Sequence, residues 1–318
     1  MDTQRFFPRF LAPLSRGNRL PERFPGSRIL QPDFGDPHPR TGTLGRLGHL
    51  EVRLASSAAE IRLAQKLRYR VFYQEMSAVA DARVSRARRD ADAFDAFCDH
   101  LLVIDHGRPR DRLHQRLHDR FLGTNPAIVG TYRLLRQEVA ERRGGFYTAG
   151  EYDIAPLIAA NPHLNFLELG RSCVLEPYRD KRTVELLWHG IWSYVLMHGI
   201  DVMLGCASLE GTDPDRLALP LSFLNQAAKA PPDWRARALA DRYVEMDRLP
   251  DDAIDAKAAL RVLPPLVKGY LRLGGFVGDG AVVDHHFGTT DVLIVLPVAN
   301  INPRYVAHYG ADASRYAS

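Results

Sequence analysis

The chain reads as an α/β protein with a mixed central sheet and helices on both faces. Three observations give that class. Strand-like and helix-like segments alternate from about residue 49 to residue 298, which favours a layered sheet and helix architecture. Several successive strand segments look like antiparallel neighbours, which a purely parallel sheet would not contain. A dinucleotide-binding fold is disfavoured, because Gly274, Gly275, Gly278 and Gly280 do not form a GxGxxG turn between a strand and a helix.

The elements follow in order. Leu50–Leu54 alternates apolar and polar residues as a strand does, and Ser57-Ala58-Ala59-Glu60 is a capping box ahead of a helix from Ile61 to about Met76. Leu63, Leu67, Val71 and Phe72 lie at helical spacing on its inner face. Leu101–Asp105 and Ile128–Leu135 are strands, separated by a segment rich in Arg and His. A strand around Glu168 precedes a helix from about Lys181 to Met197, whose Trp188, Trp192 and Leu196 read as core. A short strand Asp201–Cys206, a helix near Asp215–Lys229, a helix from Pro264-Pro265 through Leu273 and a strand Val292–Val298 complete the set.

Residues 1–48 carry seven of the 21 prolines and six of the 24 glycines without any sustained period, which predicts a disordered leader ahead of one domain, 49–318. Its eight arginines stand against four acids, so the leader holds the entire net charge of +4. The body is balanced, which argues against a nucleic-acid-binding surface. The leader mixes Phe6, Phe7 and Phe10 with Arg5 and Arg9, as a segment touching an anionic membrane would. No run of about 18 apolar residues exists to span a bilayer. Cys98, Cys173 and Cys206 lack metal-site or CxxC spacing. The expectation is a cytoplasmic protein that reaches the membrane peripherally, if at all, through its leader.

The most informative stretch is Leu167-Glu168-Leu169-Gly170-Arg171-Ser172-Cys173-Val174, which places an acid and a guanidinium in an apolar strand. With period two, Arg171 would fall on the apolar side; a bulge at Gly170 would swing it to the face of Glu168. Such a strand suits acyl transfer. Glu168 would be the base for an amine, the bulge would free backbone N–H donors for the oxyanion, and Arg171 would pair with Glu168 or Asp95. The bland alternative is a buried Glu-Arg pair that fixes packing.

Four segments, in this order, resemble the acyl-homoserine-lactone synthases: Leu67-Arg68-Tyr69-Arg70-Val71-Phe72, Asp92-Ala93-Phe94-Asp95 before the His100 strand, Gly130-Thr131-Tyr132-Arg133, and Glu168-Leu169-Gly170-Arg171. Pro264-Pro265-Leu266-Val267-Lys268-Gly269-Tyr270 and Asp291-Val292-Leu293-Ile294-Val295-Leu296-Pro297 then resemble the ornithine lipid N-acyltransferases, the hemolysin-like branch of that group. The resemblance covers residues 50–310. It implies an N-acetyltransferase-like (GNAT) fold with a mixed, largely antiparallel sheet. It also implies transfer of a 3-hydroxyacyl chain from acyl carrier protein to the α-amine of L-ornithine, with no cofactor beyond the carrier's phosphopantetheine.

Glu168 and Arg171 are then the expected catalytic pair, and Arg68, Asp92, Asp95 and Ser208 the expected substrate contacts. Arg179, Lys181 and Arg182, at a helix start, would meet the donor phosphate, although the superfamily's Arg-x-x-Gly-x-Gly/Ala pattern is replaced by Arg179-Asp180-Lys181-Arg182-Thr183-Val184. That replacement favours a carrier protein over coenzyme A. A metal at Asp284-His285-His286 is not expected, since adjacent strand residues face opposite ways. The rivals are the same chemistry on glutamine, lysine, glycine or a homoserine-lactone-type acceptor, and a non-enzymatic membrane-binding protein.

Overall fold

The computed structural model describes residues 42–76, 78–107, 127–302 and 305. Residues 1–41 of the expected leader, and the Arg- and His-rich segment 108–126, lie outside the described residues.

The chain opens with an antiparallel hairpin, β1 (Thr43–Leu47) and β2 (Leu50–Leu54). Helix α1 (Ala58–Tyr69) runs directly into a π-helical turn, Arg70–Glu75, and α2 (Ala82–Ala87) follows. β3 (Asp99–Asp105) and β4 (Ala127–Arg136) lead to α3 (Gln137–Arg143), the short β5 (Tyr152–Asp153) and α4 (Ala155–Ala160). β6 (Phe166–Val174), α5 (Lys181–His198) and β7 (Val202–Glu210) form the one strand-helix-strand crossover that matters for the site. After α6 (Ala218–Ala228) come the two-residue strands β8 (Arg237–Ala238) and β9 (Tyr243–Val244), then α7 (Ala256–Val262) and α8 (Pro265–Arg272). The hairpin β10 (Phe276–Asp284) and β11 (Thr289–Pro297) closes the fold.

The sheet order is β1-β2-β3-β4-β6-β7-β11-β10-β8-β5, with β9 on β10. Its long pairings are antiparallel except β6 with β7. This is the mixed, largely antiparallel sheet expected of the sequence. Period two divides the core: Leu167 and Leu169 join the larger apolar cluster with Leu67, Leu101 and Ile191, while Phe166 joins a second with Leu135, Tyr152 and Leu204.

Several expectations need correction. β1 lies within the stretch assigned to the leader; it pairs with β2, and His189 of α5 hydrogen-bonds the Leu44 carbonyl at 2.9 Å, so the folded body starts before residue 49. The helix expected to reach Met76 is α-helical only to Tyr69. The capping box is half formed: Ser57 accepts from the Glu60 N–H at 3.3 Å, but the Glu60 carboxylate turns to the Ser56 N–H and to Arg53. Leu196, placed in the core by its spacing, is exposed, while Trp192 is buried. β7 runs four residues past Cys206, so Ser208 is a strand residue. β10 escaped a period-two reading because Gly278 and Gly280 interrupt it, and the register against β11 shifts between Val277 and Ala281.

Candidate active site

The site begins where β6 and β7 part. They pair in parallel only from Phe166–Glu168 to Val202–Leu204; beyond that point β7 offers no ladder partner to β6 among the described residues. Just past the last pair, an added Cβ on Gly205 would lie 2.2 Å from the Leu169 carbonyl oxygen. The fork therefore needs glycine there.

On its other edge β6 carries the expected bulge. Arg133 of β4 pairs with Gly170, and Thr131 with Cys173, so Arg171 and Ser172 together face Tyr132. The residue in the left-handed region is Arg171, at φ 50°, not Gly170. For a residue with a side chain this conformation is strained, and contacts of the guanidinium offset it. Arg171 lies 3.2 Å from Asp92 and 3.5 Å from Asp90, and its guanidinium carbon sits 5.0 Å from the Tyr147 ring and 4.6 Å from the Phe287 ring. The surrounding carboxylates and ring keep its charge fixed. The expected pairing with Glu168 or Asp95 does not form: among the described residues its carboxylate partners are Asp90 and Asp92.

Glu168 is 5 % exposed. Its carboxylate accepts the backbone N–H groups of Tyr147 at 2.9 Å and Thr148 at 2.6 Å, from the 3₁₀ turn Tyr147–Gly150. Burial pushes its carboxyl above the usual range, and these hydrogen bonds partly counter that shift. Among the described residues no guanidinium hydrogen-bonds the Glu168 carboxylate, although the Thr148 side chain and the charge of Arg133 also draw its proton affinity down. The buried Glu-Arg pair is not formed.

Arg68, Asp92 and Asp95, the expected substrate contacts, lie in one ion network. Arg68 is fully buried and grips Asp95 through two nitrogens at 2.8 and 2.7 Å and Asp90 at 2.8 Å. Arg133 spans Asp92 at 2.6 Å and Asp95 at 3.2 Å. Burial alone would raise Asp92 and Asp95, yet the arginines hold both below the usual range. Asp95 is sealed in by guanidinium groups, whereas the Asp92 side chain keeps some exposure, and both acids tie Arg68 and Arg133 into the network that reaches Arg171. Ser208 is exposed on β7, in register with Asp291 of β11.

The basic cluster stands at the start of α5, as expected, but each cation has company. Arg179 donates to the Val174 carbonyl at 2.9 Å and to Glu75 at 2.5 Å, Lys181 lies 3.5 Å from Glu185, and Arg182 reaches over the β1–β2 turn at Gly48. Asp180 caps the helix by accepting the Thr183 N–H at 2.8 Å, which puts a carboxylate where the helix dipole would favour an anion.

A second group of acids was missed by the sequence reading. Glu151, Asp284 and Asp291 each bring a carboxylate oxygen within 4.8 Å of the others. Asp284 thus joins two acids, its Oδ1 also accepting the backbone N–H groups of His286 at 2.8 Å and Phe287 at 3.0 Å, while the His286 ring meets the Tyr73 hydroxyl at 3.0 Å. Burial lifts Glu151 to about 7, Asp291 adding to it, and burial also raises Asp291. Asp284 and Asp291 each stood in a segment singled out in the sequence, but nothing joined them to each other or to Glu151, which follows a turn without any periodic signal.

The chain is similar to known proteins. The acetyltransferase (GNAT) domain family covers residues 67–189, which hold the end of α1, the ion network, β6 with Glu168 and the bulge, and the first half of α5. The chain is 54 % identical over 280 residues to the L-ornithine N(alpha)-acyltransferase of Rhizobium meliloti (strain 1021), covering 88 % of this chain and 90 % of that protein. It is also 54 % identical over 273 residues to the L-ornithine N(alpha)-acyltransferase of Brucella abortus (strain 2308), covering 86 % and 93 %. The chain belongs to this family. It is an acyltransferase with the GNAT fold, which sets aside the non-enzymatic rival. Among solved structures, FeeM, an N-acyl amino acid synthase from uncultured soil microbes, matches with a TM-score of 0.42 and 10 % identity, over 78 % of this chain and 91 % of that one. No helix among the described residues is long and apolar enough to cross a membrane.

Proposed function

We propose that the protein transfers a 3-hydroxyacyl chain from acyl carrier protein to the α-amine of L-ornithine, giving lyso-ornithine lipid. Family membership supports the acceptor. The observation that carries the chemistry is Glu168, a buried carboxylate of raised proton affinity at the mouth of the β6–β7 fork. An ornithine α-ammonium must lose a proton before it can attack, and Glu168 accepts it. The amine nitrogen then bonds to the thioester carbon, and backbone N–H groups along the open edge of β6 meet the oxyanion. Collapse breaks the C–S bond; the second amine proton leaves with it, and the carrier's thiol departs protonated.

The fork is flanked by apolar side chains, between which an acyl chain of the donor would have to open its own space. One small cavity is lined by Leu169, Met203, Leu204, Gly205, Tyr270 and Ile294, and a neighbouring one by Trp188, Trp192, Met203 and Leu273 among others. Acyl carrier protein as donor is supported by the absence of the glycine-rich phosphate loop and by Asp180 at the helix start, both poor matches for a pyrophosphate. The decisive experiment incubates the purified protein with L-ornithine and either 3-hydroxyacyl carrier protein or 3-hydroxyacyl coenzyme A, and follows N-acylornithine by mass spectrometry. Product from the carrier-protein donor is expected at much higher efficiency. Product only with a different amino acid would replace the acceptor, and equal efficiency with both donors would remove the carrier-protein specificity.

A further inference from the structure

The Glu151, Asp284 and Asp291 cluster lies beside the proposed base and is not used by it. Glu151 follows directly on the 3₁₀ turn whose N–H groups hold Glu168, so the two acids are tied to one short segment. Asp291 comes from β11, opposite Ser208, and Asp284 from the end of β10. Glu151 is 4 % and Asp291 7 % exposed, and Oε2 of Glu151 and Oδ1 of Asp291 are buried without a well-formed hydrogen bond among the described residues, the Cys206 thiol facing Glu151 and the Ser208 and Thr289 hydroxyls facing Asp291, while Asp284 Oδ1 accepts the His286 and Phe287 backbone N–H groups. Arg242 approaches the other Glu151 oxygen, Oε1, at 3.9 Å. Crowded carboxylates with buried, poorly hydrogen-bonded oxygens are costly unless a cation with several donors joins them.

We infer that Glu151, Asp284 and Asp291 hold the side-chain ammonium of the acceptor amino acid and so select a diamino acid over a neutral one. The inference rests on the acylation reading above and deepens it. An ammonium offers three donors with no fixed plane, which three carboxylates from three different elements can receive. The α-amine is the wrong occupant: negative neighbours raise the proton affinity of a bound amine, whereas the nucleophile must become neutral. The group that belongs among three acids is the amine that stays charged throughout. Glu151, half-protonated near neutral pH in the empty site, would ionise when that charge arrives.

The test compares kcat/KM for L-ornithine and L-norvaline, which has the same carbon chain without the terminal amine, using the full chain and its acyl donor. The unsubstituted protein is expected to prefer ornithine by about a hundredfold or more. Glu151→Gln, Asp291→Asn and Asp284→Asn should each cut that preference at least about tenfold, chiefly through KM for ornithine. Asp284 is the least buried of the three, so Asp284→Asn keeps the test open if the other two variants do not fold. Calorimetric titration of L-ornithine into the protein and into that variant gives a readout independent of turnover, with weaker binding expected in the variant. An unchanged preference and unchanged binding would overturn the inference. So would activity abolished by EDTA and restored by Mg²⁺, Ca²⁺ or Mn²⁺, which would make the cluster a metal site. Equal use of ornithine and norvaline by the unsubstituted protein sinks this inference alone, whereas acylation of neither sinks the function proposed above.

Discussion

Glu168 and Glu151 are both buried acids with raised proton affinity, but their surroundings differ, and the roles proposed for them differ accordingly. Two peptide N–H groups hold Glu168, which orients its carboxylate while leaving lone pairs for a substrate proton. Glu168→Gln keeps the volume and an acceptor for the turn but abolishes proton transfer. Turnover is expected to fall by about two to four orders of magnitude, the usual worth of a positioned base; near-normal turnover across pH would take Glu168 out of the mechanism. Glu151 makes a separate prediction on stability. Its folded value of about 7 lies above its ordinary value of 4.5, so between those pH values the folded chain binds the extra proton. Stability should therefore be highest at the acid end of that window and decline as pH rises to about 7, by roughly 3 kcal/mol at most. Asp291, also raised, adds to the same slope. Glu151→Gln should flatten the decline in urea midpoint between pH 5 and 7, and an unaltered slope would contradict the assignment.

At the scale of elements, the fork and the bulge are one device made from adjacent parts of β6. Gly205 lets β7 approach the Leu169 carbonyl before the strands separate, and its φ of 157° is open to glycine above all. Gly205→Ala forces that contact apart. It is expected to destabilise the protein by roughly 3 kcal/mol, measured by chemical denaturation, with a loss of turnover larger than stability alone explains. The bulge was legible in the sequence because Gly170 interrupts an apolar strand and Arg171 cannot stay on its apolar face. The residue that takes the left-handed conformation was not, since that choice depends on Asp90, Asp92, Tyr147 and Phe287, three of them distant in sequence from β6 and Phe287 beyond it. The acids of Asp92 to Asp95 announced a site, but their partners Arg68 and Arg133 come from α1 and β4, so only the fold reveals them as an internal network. The start of α5 carries its own prediction. Arg179→Glu together with Arg182→Glu should weaken use of acyl carrier protein strongly, and more at low than at high salt, if these exposed cations dock an acidic carrier. A change seen equally with a neutral thioester analogue would instead point to damage at the Arg179–Glu75 contact.

For the whole molecule, charge is distributed by segment rather than by surface. The eight arginines and four acids of residues 1–48 account for the net +4, while the rest of the chain is neutral in sum. The proposed product is an amphiphile that must enter a bilayer, and a basic, Phe-containing leader would hold the enzyme at anionic lipid, each Arg adding up to about 1 kcal/mol near the surface. The fold dictates where the leader can be cut. β1 pairs with β2, Gly45 packs against the His189 ring, and the same ring bonds the Leu44 carbonyl, so removal through residue 48 would strip an edge from the sheet and leave α5 partly uncovered. Deletion of residues 1–41 spares these contacts. The truncated protein is expected to keep its thermal midpoint and its transfer to soluble ornithine, and to sediment with phosphatidylglycerol vesicles several-fold less than the full chain at low salt. The difference should shrink as salt is raised, because it is electrostatic. If truncated and full-length chains sediment equally, the leader does not anchor the enzyme, and the lipid contact has to be sought on the body, with the Arg-rich segment 108–126 the first region to substitute.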